Sequence, residues 1–276
     1  MTSLISRIDF SALKAIAPVP PTKKAAAQTA ILRQFGDLIP TLLVAGDIST
    51  PLRITHFLAQ TAHESDGFCT LEEYASGSAY EGRSDLGNVK KGDGVRFKGR
   101  GPIQLTGRAN HRAFTAWMRA RQPGCPDFEA RPELVATWPW AGWAAIFFWS
   151  TKKLNAFADA DDLIGATKVI NGGRNGLADR AAYLAKAKPI ITRLAGDQLS
   201  GSQQYAVLVR GMSGEPVEHL QRALKKAGYY LLSIDGDFGP GTEAAAKAFQ
   251  RRQRLAVDGM VGRKTAAALK PYGFTL

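Results

Sequence analysis

Three glutamates stand within ten positions of one another in the stretch AQTAHESDGFCTLEEYASGS, residues 59–78. Glu64 comes first, and Glu72 and Glu73 follow eight and nine residues later. A pair of carboxyl groups, one protonated and one ionised, is what most enzymes use to cut glycosidic bonds. Acidic clusters are also common on solvated surfaces, so the elements that position these side chains must decide which of them does chemistry.

Glu64 is predicted to stand at the end of an amphipathic helix. Thr50 is suited to cap this helix and Pro51 to open it. From Ile54 onward apolar residues recur at i, i+3, i+4 and i+7, and Glu64, seven residues after Phe57, returns to that face. A carboxyl group held against apolar surface tends to keep its proton, as a general acid must. The alternative is a helix-end glutamate whose head reaches water.

The second carboxylate cannot come from the same helix. A step of nine residues rotates about 900° around a helix axis, which would place Glu73 opposite Glu64. A helix that ends at Gly67 lets the chain turn back and present Glu72 or Glu73 from a loop. Inverting glycosidases need roughly 6.5–9.5 Å between their carboxyl groups, and a helix end facing a loop can meet that separation. Taken alone, either residue is typical of surface charge.

Metal chemistry is not predicted. The pair His63-Glu64 begins like the zinc motif H-E-x-x-H, but position 67 is a glycine where that motif needs its second histidine. We therefore expect neither a metal nor any other cofactor. Cys69 and Cys125 are expected to be buried free thiols, although one bridge between them is possible.

The segment FKGRGPIQLTGRANH, residues 97–111, is the other group of polar side chains with possible function. Its glycines and proline argue against a regular helix, while Gln104, Thr106 and Asn110 offer uncharged donors and acceptors suited to sugar hydroxyl and acetamido groups. Neither common phosphate-binding glycine pattern is present. An ordinary turn is the competing interpretation.

Helical patterns dominate the chain, and a mainly α fold is predicted. WPWAGWAAIFFWSTKKL is apolar nearly all round and predicts a buried helix, and DADDLIGATKVINGG predicts a capped helix ending at Asn171-Gly172. Residues 67–110 are predicted to form loops or a short hairpin. A Gly/Ser/Gln-rich stretch, residues 195–209, predicts a linker between domains 1–198 and 199–276.

The second domain contains an internal repeat. IDGDFGPGT, residues 234–242, returns as VDGMVGRKT, residues 257–265, and each copy leads into an alanine-rich helical stretch. Two copies of one turn-helix unit predict a small helical module.

Charge and the N-terminus limit the function classes. The net charge of +12 and the pI near 9.8 favour an anionic partner, for which nucleic acid, an anionic cell-wall polymer and lipopolysaccharide all qualify, or simply solubility with loose attraction to an anionic surface. No run of like charge indicates nucleic-acid binding, and the first residues do not read as a signal peptide. We expect a monomer that is made in the cytoplasm and reaches any outer target by another route.

Together these motifs resemble the family 19 glycoside hydrolases, which include plant-type chitinases and, more closely, bacteriophage endolysins with a lysozyme-like helical fold. The resemblance covers roughly residues 40–195 and rests on five motifs in the family's order: AQTAHES, the glutamate nine residues after the first, YEGRSDLGN, GRGPIQLTGR and VINGGRNGLADR. Residues 205–270 resemble a peptidoglycan-binding module of the three-helix type, and a generic dimerisation domain is the alternative for them.

The resemblance implies a role for individual residues. Glu64 matches the general acid, Glu73 the general base and Thr106 a hydroxyl that orients the attacking water, while Glu72 is a bystander. Substrate contacts are implied for Gln104, Asn110, Asn171 and Arg180. Asn171 could instead cap a helix, and Arg180 could belong to a structural ion pair. Loop positions of the module implied to bind the wall are Asp235, Gly236, Phe238, Asp258 and Gly259.

Two departures from the chitinase pattern bear on the substrate. The interval between the glutamates is the short one of the endolysin branch, and Ala109 replaces an aromatic residue common in chitinases. Both favour the glycan of peptidoglycan over chitin. The hypothesis is an endolysin that cuts the β-1,4 backbone of peptidoglycan with inversion, leaving the host cytoplasm through a holin-type membrane lesion. A chitinase and a non-catalytic wall-binding or DNA-binding protein are the rivals.

Overall fold

The structure, a computed structural model, describes residues 4–195 and 207–275. The predicted domain boundary between residues 198 and 199 lies outside the described residues. Twelve α-helices and two short strands occur in the described ranges: α1 Phe10–Ile16, α2 Thr22–Ala45, α3 Pro51–Glu64, α4 Asp93–Arg96, α5 Arg108–Arg119, α6 Trp140–Thr151, α7 Leu154–Asp159, α8 Leu163–Asn171, α9 Leu177–Ala195, β1 Val207–Leu208, α10 Glu215–Lys226, α11 Pro240–Arg252, β2 Val261–Gly262 and α12 Arg263–Leu269. The mainly α fold predicted from the sequence is confirmed.

The larger, N-terminal half of the chain, which holds the candidate catalytic residues, is built around α3. Thr50 accepts a hydrogen bond from the backbone N–H of Arg53 and Pro51 opens the helix, as predicted. Helix α3 packs along α9, and α2 packs against α6. Phe57 of α3 meets Trp149 of α6 edge to face, with 5.3 Å between ring centroids. Burial on nearly every side explains why α6 is apolar all round.

Residues 65–107 form the irregular part of this half, which confirms the loops predicted over 67–110 except at residues 108–110, where α5 has already begun. Their regular structure is limited to α4 and the 3-10 turns Ser78–Tyr80 and Ser84–Leu86. Arg100 forms isolated antiparallel bridges with both Glu72 and Leu105. These bridges tie the loop that carries the glutamates to the GRGPIQLTGR segment.

Over residues 207–275, the C-terminal module contains three α-helices and a two-stranded antiparallel sheet of β1 and β2. Its internal repeat has a structural basis in two buried glutamines. Gln221 bonds Asp235 and Thr242 in the first copy, and Gln250 bonds Asp258 and Thr265 in the second. Each glutamine accepts hydrogen bonds from backbone N–H groups of one turn and fixes that turn against the following helix. This shared arrangement explains the matching register of the two copies.

Two further features follow from burial and length. Cys69 and Cys125 are both buried and free. Within the described ranges, no helix combines the length and the apolar character needed to cross a membrane.

Candidate active site

The end of α3 places Glu64 and then reverses the chain. Asp66, Gly67 and Phe68 all adopt left-handed φ angles, of 52°, 66° and 64°. A Cβ at residue 67 would lie 2.4 Å from Cγ of Pro18, so only glycine fits this turn. The predicted break at Gly67 is therefore present, and it sends the following loop away from the helix axis.

A buried arginine holds Glu64. The Arg180 side chain, 1% exposed, donates through Nη2 to Oε1 of Glu64 and through Nη1 to Oε1 of Gln60. The Glu64 side chain is 16% exposed. The sequence predicted an apolar surrounding, and the structure instead pairs the carboxylate with a guanidinium from α9. The alternative interpretation of Arg180, as a member of an ion pair, is thus confirmed, and its partner is Glu64 itself; its contact with substrate stays a prediction.

A second pair from the same two helices lies beside the first. His63 Nδ1 is 2.6 Å from Oδ2 of Asp179. Gly176, with a φ of 70°, lies against the imidazole, since a Cβ there would stand 2.2 Å from Cε1 of His63. From the sequence, His63 was assessed only as a zinc ligand. Its contacts with Asp179 and Gly176, which join α3 to α9 and to the turn before it, were not predicted.

Glu73 is held as a hydrogen-bond acceptor in the loop. The Tyr80 hydroxyl donates to Oε1 over 3.0 Å, and the backbone N–H of Gly99 donates to Oε2 over 3.0 Å. The backbone N–H of Glu73 in turn donates to the Gly99 carbonyl over 2.9 Å. These two hydrogen bonds fix the position of the Glu73 carboxyl group, and a general base must be held in place to reach the proton that it removes.

Tyr80 is the side-chain donor to Glu73. Burial raises the pKa of Tyr80, and its hydrogen bond to Glu73 and the charge of Glu73 add to this effect. The phenol is therefore the donor in its hydrogen bond with Glu73. Tyr80 belongs to the YEGRSDLGN motif, but sequence reasoning assigned no role to it.

The GRGPIQLTGR segment lies against Glu73. A Cβ at Gly99 would be 2.6 Å from Oε1 of Gln104 and 3.3 Å from Oε2 of Glu73, so the two side chains flank this glycine. The Thr106 hydroxyl donates to the Gln104 carbonyl over 2.9 Å, and Asn110 donates through Nδ2 to the Thr106 carbonyl over 2.7 Å. The hydroxyl oxygen of Thr106 can still accept a hydrogen bond from a water molecule.

The remaining candidates of the catalytic half occupy exposed positions. Asn171 ends α8, donates to the Asn175 carbonyl over 2.8 Å and accepts from the Gly173 N–H over 2.9 Å. Glu72, 47% exposed, lies 3.4 Å from Nζ of Lys98 and 3.3 Å from Nη2 of Arg100. These ion pairs agree with its interpretation as a bystander.

An exposed aromatic residue follows Glu73 and was not singled out from the sequence. Tyr74 is 67% exposed, yet its hydroxyl donates to Asp66 over 2.9 Å and the Lys24 ammonium stands 4.8 Å from its ring centroid. These contacts hold the ring at the edge of the site.

The predicted wall contacts of the module form the turns of its repeat. Gly236 and Gly259 have φ angles of 74° and 75°, and Asp235 and Asp258 accept from the two buried glutamines. Phe238 is 1% exposed and packs in the module's core, so its predicted contact with the wall is corrected here to a supporting role.

No group of three or more His, Cys, Asp or Glu side chains in the described ranges is arranged to hold a metal ion.

Comparison with known families identifies both halves. Residues 29–199 match the family described as chitinase class I, and residues 213–269 match a peptidoglycan binding domain. A glycosyl hydrolase family 19 domain-containing protein of Haemophilus influenzae is similar, with 30% identity over 155 residues, which are 45% of this chain and 72% of that protein.

Other similarities are confined to one half. The spore cortex-lytic enzyme of Bacillus cereus is 48% identical over 63 residues, which cover 23% of this chain and only 24% of that enzyme. An endochitinase of Arabidopsis thaliana is 36% identical over 121 residues, 44% of this chain and 39% of that protein. Chitinase C from Streptomyces griseus superposes with a TM-score of 0.48 at 16% identity, over 74% of this chain and 81% of that chain.

Proposed function

Because this chain belongs to family 19 of the glycoside hydrolases, the chitinase class I family, we propose that it hydrolyses the β-1,4 glycan backbone of bacterial peptidoglycan. The chain is a glycoside hydrolase with a C-terminal peptidoglycan-binding domain. The observation that carries the choice of substrate is this union of the two domains in one chain. A module that binds the wall keeps the catalytic domain at its polymer and raises the effective concentration of cleavable bonds.

Glu64 and Glu73 divide the chemistry in this proposal. Glu64 gives a proton to the leaving glycosidic oxygen, and Glu73 removes a proton from a water molecule that attacks the anomeric carbon from the opposite face. Thr106 accepts a hydrogen bond from that water and orients it. Attack from the face opposite the leaving group inverts the anomeric configuration, so the β-linked glycan yields the α-anomer first.

The surroundings of the two carboxyl groups hold both of them in place. Glu73 accepts hydrogen bonds from the Tyr80 hydroxyl and from the Gly99 N–H. Glu64 is bound to Arg180, which fixes its position at the end of α3. Gln104, Asn110 and Asn171 would then contact sugar hydroxyl and acetamido groups along the cleft.

Chitin is the second candidate substrate, and the endochitinase similarity favours it. Purified sacculi and chitohexaose, offered at equal concentrations of sugar, discriminate the two. We expect the enzyme to release soluble glycan from sacculi and to turn over chitohexaose much more slowly. Faster turnover of chitohexaose would reject the peptidoglycan proposal in favour of a chitinase.

A lytic role in phage release completes the proposal. The enzyme would wait in the host cytoplasm, cross the inner membrane at a holin-type lesion and be attracted to the anionic envelope by its net charge of +12. Expressed inside Gram-negative cells, it should lyse them only after chloroform opens the inner membrane. Rapid lysis without that treatment would contradict this route.

A further inference from the structure

A cavity of about 450 Å³ lies between the catalytic domain and the wall-binding module. The catalytic domain supplies residues 160–165 with Lys168 and Arg174, and the module supplies Gln250 with residues from 255–265. Neither Glu64 nor Glu73 is among the lining residues. This cavity is therefore separate from the carboxylate pair, and it exists because the two domains are docked.

Apolar side chains and one ion pair hold the domains together at this place. Leu163 and Leu177 of the catalytic domain share a buried cluster with Val207 and Val209 of the module. Arg174 lies on the turn that follows Asn171, and its Nη1 is 3.3 Å from Oδ2 of Asp258. Arg174 thus links the lining of the cavity to the turn after Asn171, which is a predicted substrate contact.

The acidic groups that line the cavity already have partners. Asp161 bonds His56 over 2.8 Å and Lys188 over 2.7 Å. Asp162 caps α8 by accepting from the Gly165 N–H over 2.8 Å. Asp258 is engaged by Arg174 and by Gln250.

The basic groups of the lining are in surplus. Within residues 4–195 and 207–275, the side chains of Lys168, Arg263 and Lys264 have neither an ion-pair nor a hydrogen-bond partner. All three are exposed. Between them the cavity presents apolar surface from Leu163, Ile164, Leu255, Ala256 and Met260. The lining therefore combines free cations with small apolar walls.

We propose that this cavity binds the carboxylate-bearing stem peptide of peptidoglycan. The inference rests on the proposed function and adds a reason for its substrate. Stem peptides carry several free carboxylates, which match the cations, and alanine methyl groups at both ends, which match the apolar walls. A volume of about 450 Å³ lies within the usual range of sites for small ligands, roughly 300–1,000 Å³. Chitin carries no peptide, so this contact would favour binding of peptidoglycan over chitin at a place distant from the bond that is cleaved.

The probe is the free tetrapeptide L-Ala-γ-D-Glu-meso-diaminopimelate-D-Ala, titrated calorimetrically into the full chain at physiological salt. Replacing Arg263 and Lys264 together by glutamine should raise its Kd by about tenfold, since charged hydrogen bonds are lost. The single change Lys168→Gln should also raise the Kd, because the catalytic domain supplies that cation. The same peptide with its carboxylates amidated should bind weakly to the unmodified chain.

The controls remove equal charge outside the cavity. Arg252→Gln with Lys226→Gln takes one arginine and one lysine from the module, and Lys152→Gln takes one lysine from the catalytic domain. At about 0.15 M salt distant charges are screened within roughly 8 Å, so these variants should change the Kd by less than about twofold. All variants should cleave glycan strands stripped of peptide at the unmodified rate.

The outcomes separate this inference from the proposed function. Four results would each overturn the peptide site, even if sacculi are hydrolysed. The first two are that the peptide does not bind and that the amidated peptide binds equally well. The other two are that the control variants lose as much affinity as the cavity variants and that inorganic phosphate alone displaces the peptide. Peptide binding that weakens as described, in a chain that leaves sacculi intact, would retain the site and reject the hydrolase proposal.

Discussion

The guanidinium of Arg180, on α9, donates a hydrogen bond to the carboxylate of Glu64, the last residue of α3. Only 1% of the arginine side chain is exposed. This one contact serves both the fold and the candidate active site. The pair joins the two helices that pack along each other in the catalytic half, and it fixes the candidate acid.

Replacing Arg180 by methionine should therefore damage both stability and activity. Removing one member of a buried ion pair costs about 3–5 kcal/mol, because the other charge is left without its partner. A displaced acid should lower kcat by about 100-fold. Thermal unfolding and sacculus turnover measure the two effects. Arg193→Met, on an exposed position of the same helix, is the control, and equal behaviour of the two variants would contradict the role of Arg180.

Adjacent glutamates give a matched test of the base. Glu73→Gln should lower kcat by about 10²–10⁴-fold, which is the usual contribution of a general base. Glu72→Gln removes an equal charge from a half-exposed side chain and should leave kcat within about twofold. Initial rates on sacculi decide between them. A reversed result would transfer the role of base to Glu72.

Tyr80→Phe removes a single donor from Glu73 and leaves the ring in place. Loss of a hydrogen bond to a charged group should reduce kcat by about tenfold and leave KM nearly unchanged. Tyr74→Phe removes a hydroxyl that bonds Asp66 instead, and it should have a smaller effect on kcat. If both variants matched the unmodified enzyme, the bond between Tyr80 and Glu73 would have no part in the chemistry.

Acid should destabilise the fold through a buried histidine. Burial lowers the pKa of His111 to about 4, whereas an unfolded histidine titrates near 6.5. Between these values the unfolded state binds more protons, so the free energy of unfolding should fall by about 2 kcal/mol from pH 7 to pH 5. Burial also lowers the pKa of His56, which adds to the same trend.

Chemical denaturation at pH 7 and pH 5 measures this loss. His111→Gln should remove most of the His111 contribution to the difference, although it lowers stability at both pH values. His219→Gln, at an exposed position of α10, should retain the full difference. An unchanged pH dependence in His111→Gln would show that another group is responsible.

The sequence predicted the helix that ends at Glu64, because Thr50, Pro51 and a regular apolar stripe act locally. It also located the break, since Gly67 is required by backbone conformation. These features depend on short-range geometry, which a sequence displays directly.

The partners of the glutamates could not be predicted from spacing in the same way. Arg180 is 116 positions from Glu64, and Gly99 is 26 positions from Glu73, so only the packing of α9 and of the loop segments creates these contacts. Phe238 shows a different error, because the resemblance implied a loop residue that contacts the wall while its ring fills the module's core.

Glu64 is expected to be indispensable for cleavage of peptidoglycan glycan. Purified sacculi are digested with the unmodified enzyme or with Glu64→Gln, reduced with borohydride, and analysed by mass spectrometry for reduced sugar ends. We predict new reduced ends with the unmodified enzyme only, while Glu64→Gln still binds the sacculi. Reduced ends from Glu64→Gln at the unmodified rate, or none from either protein, would contradict the account.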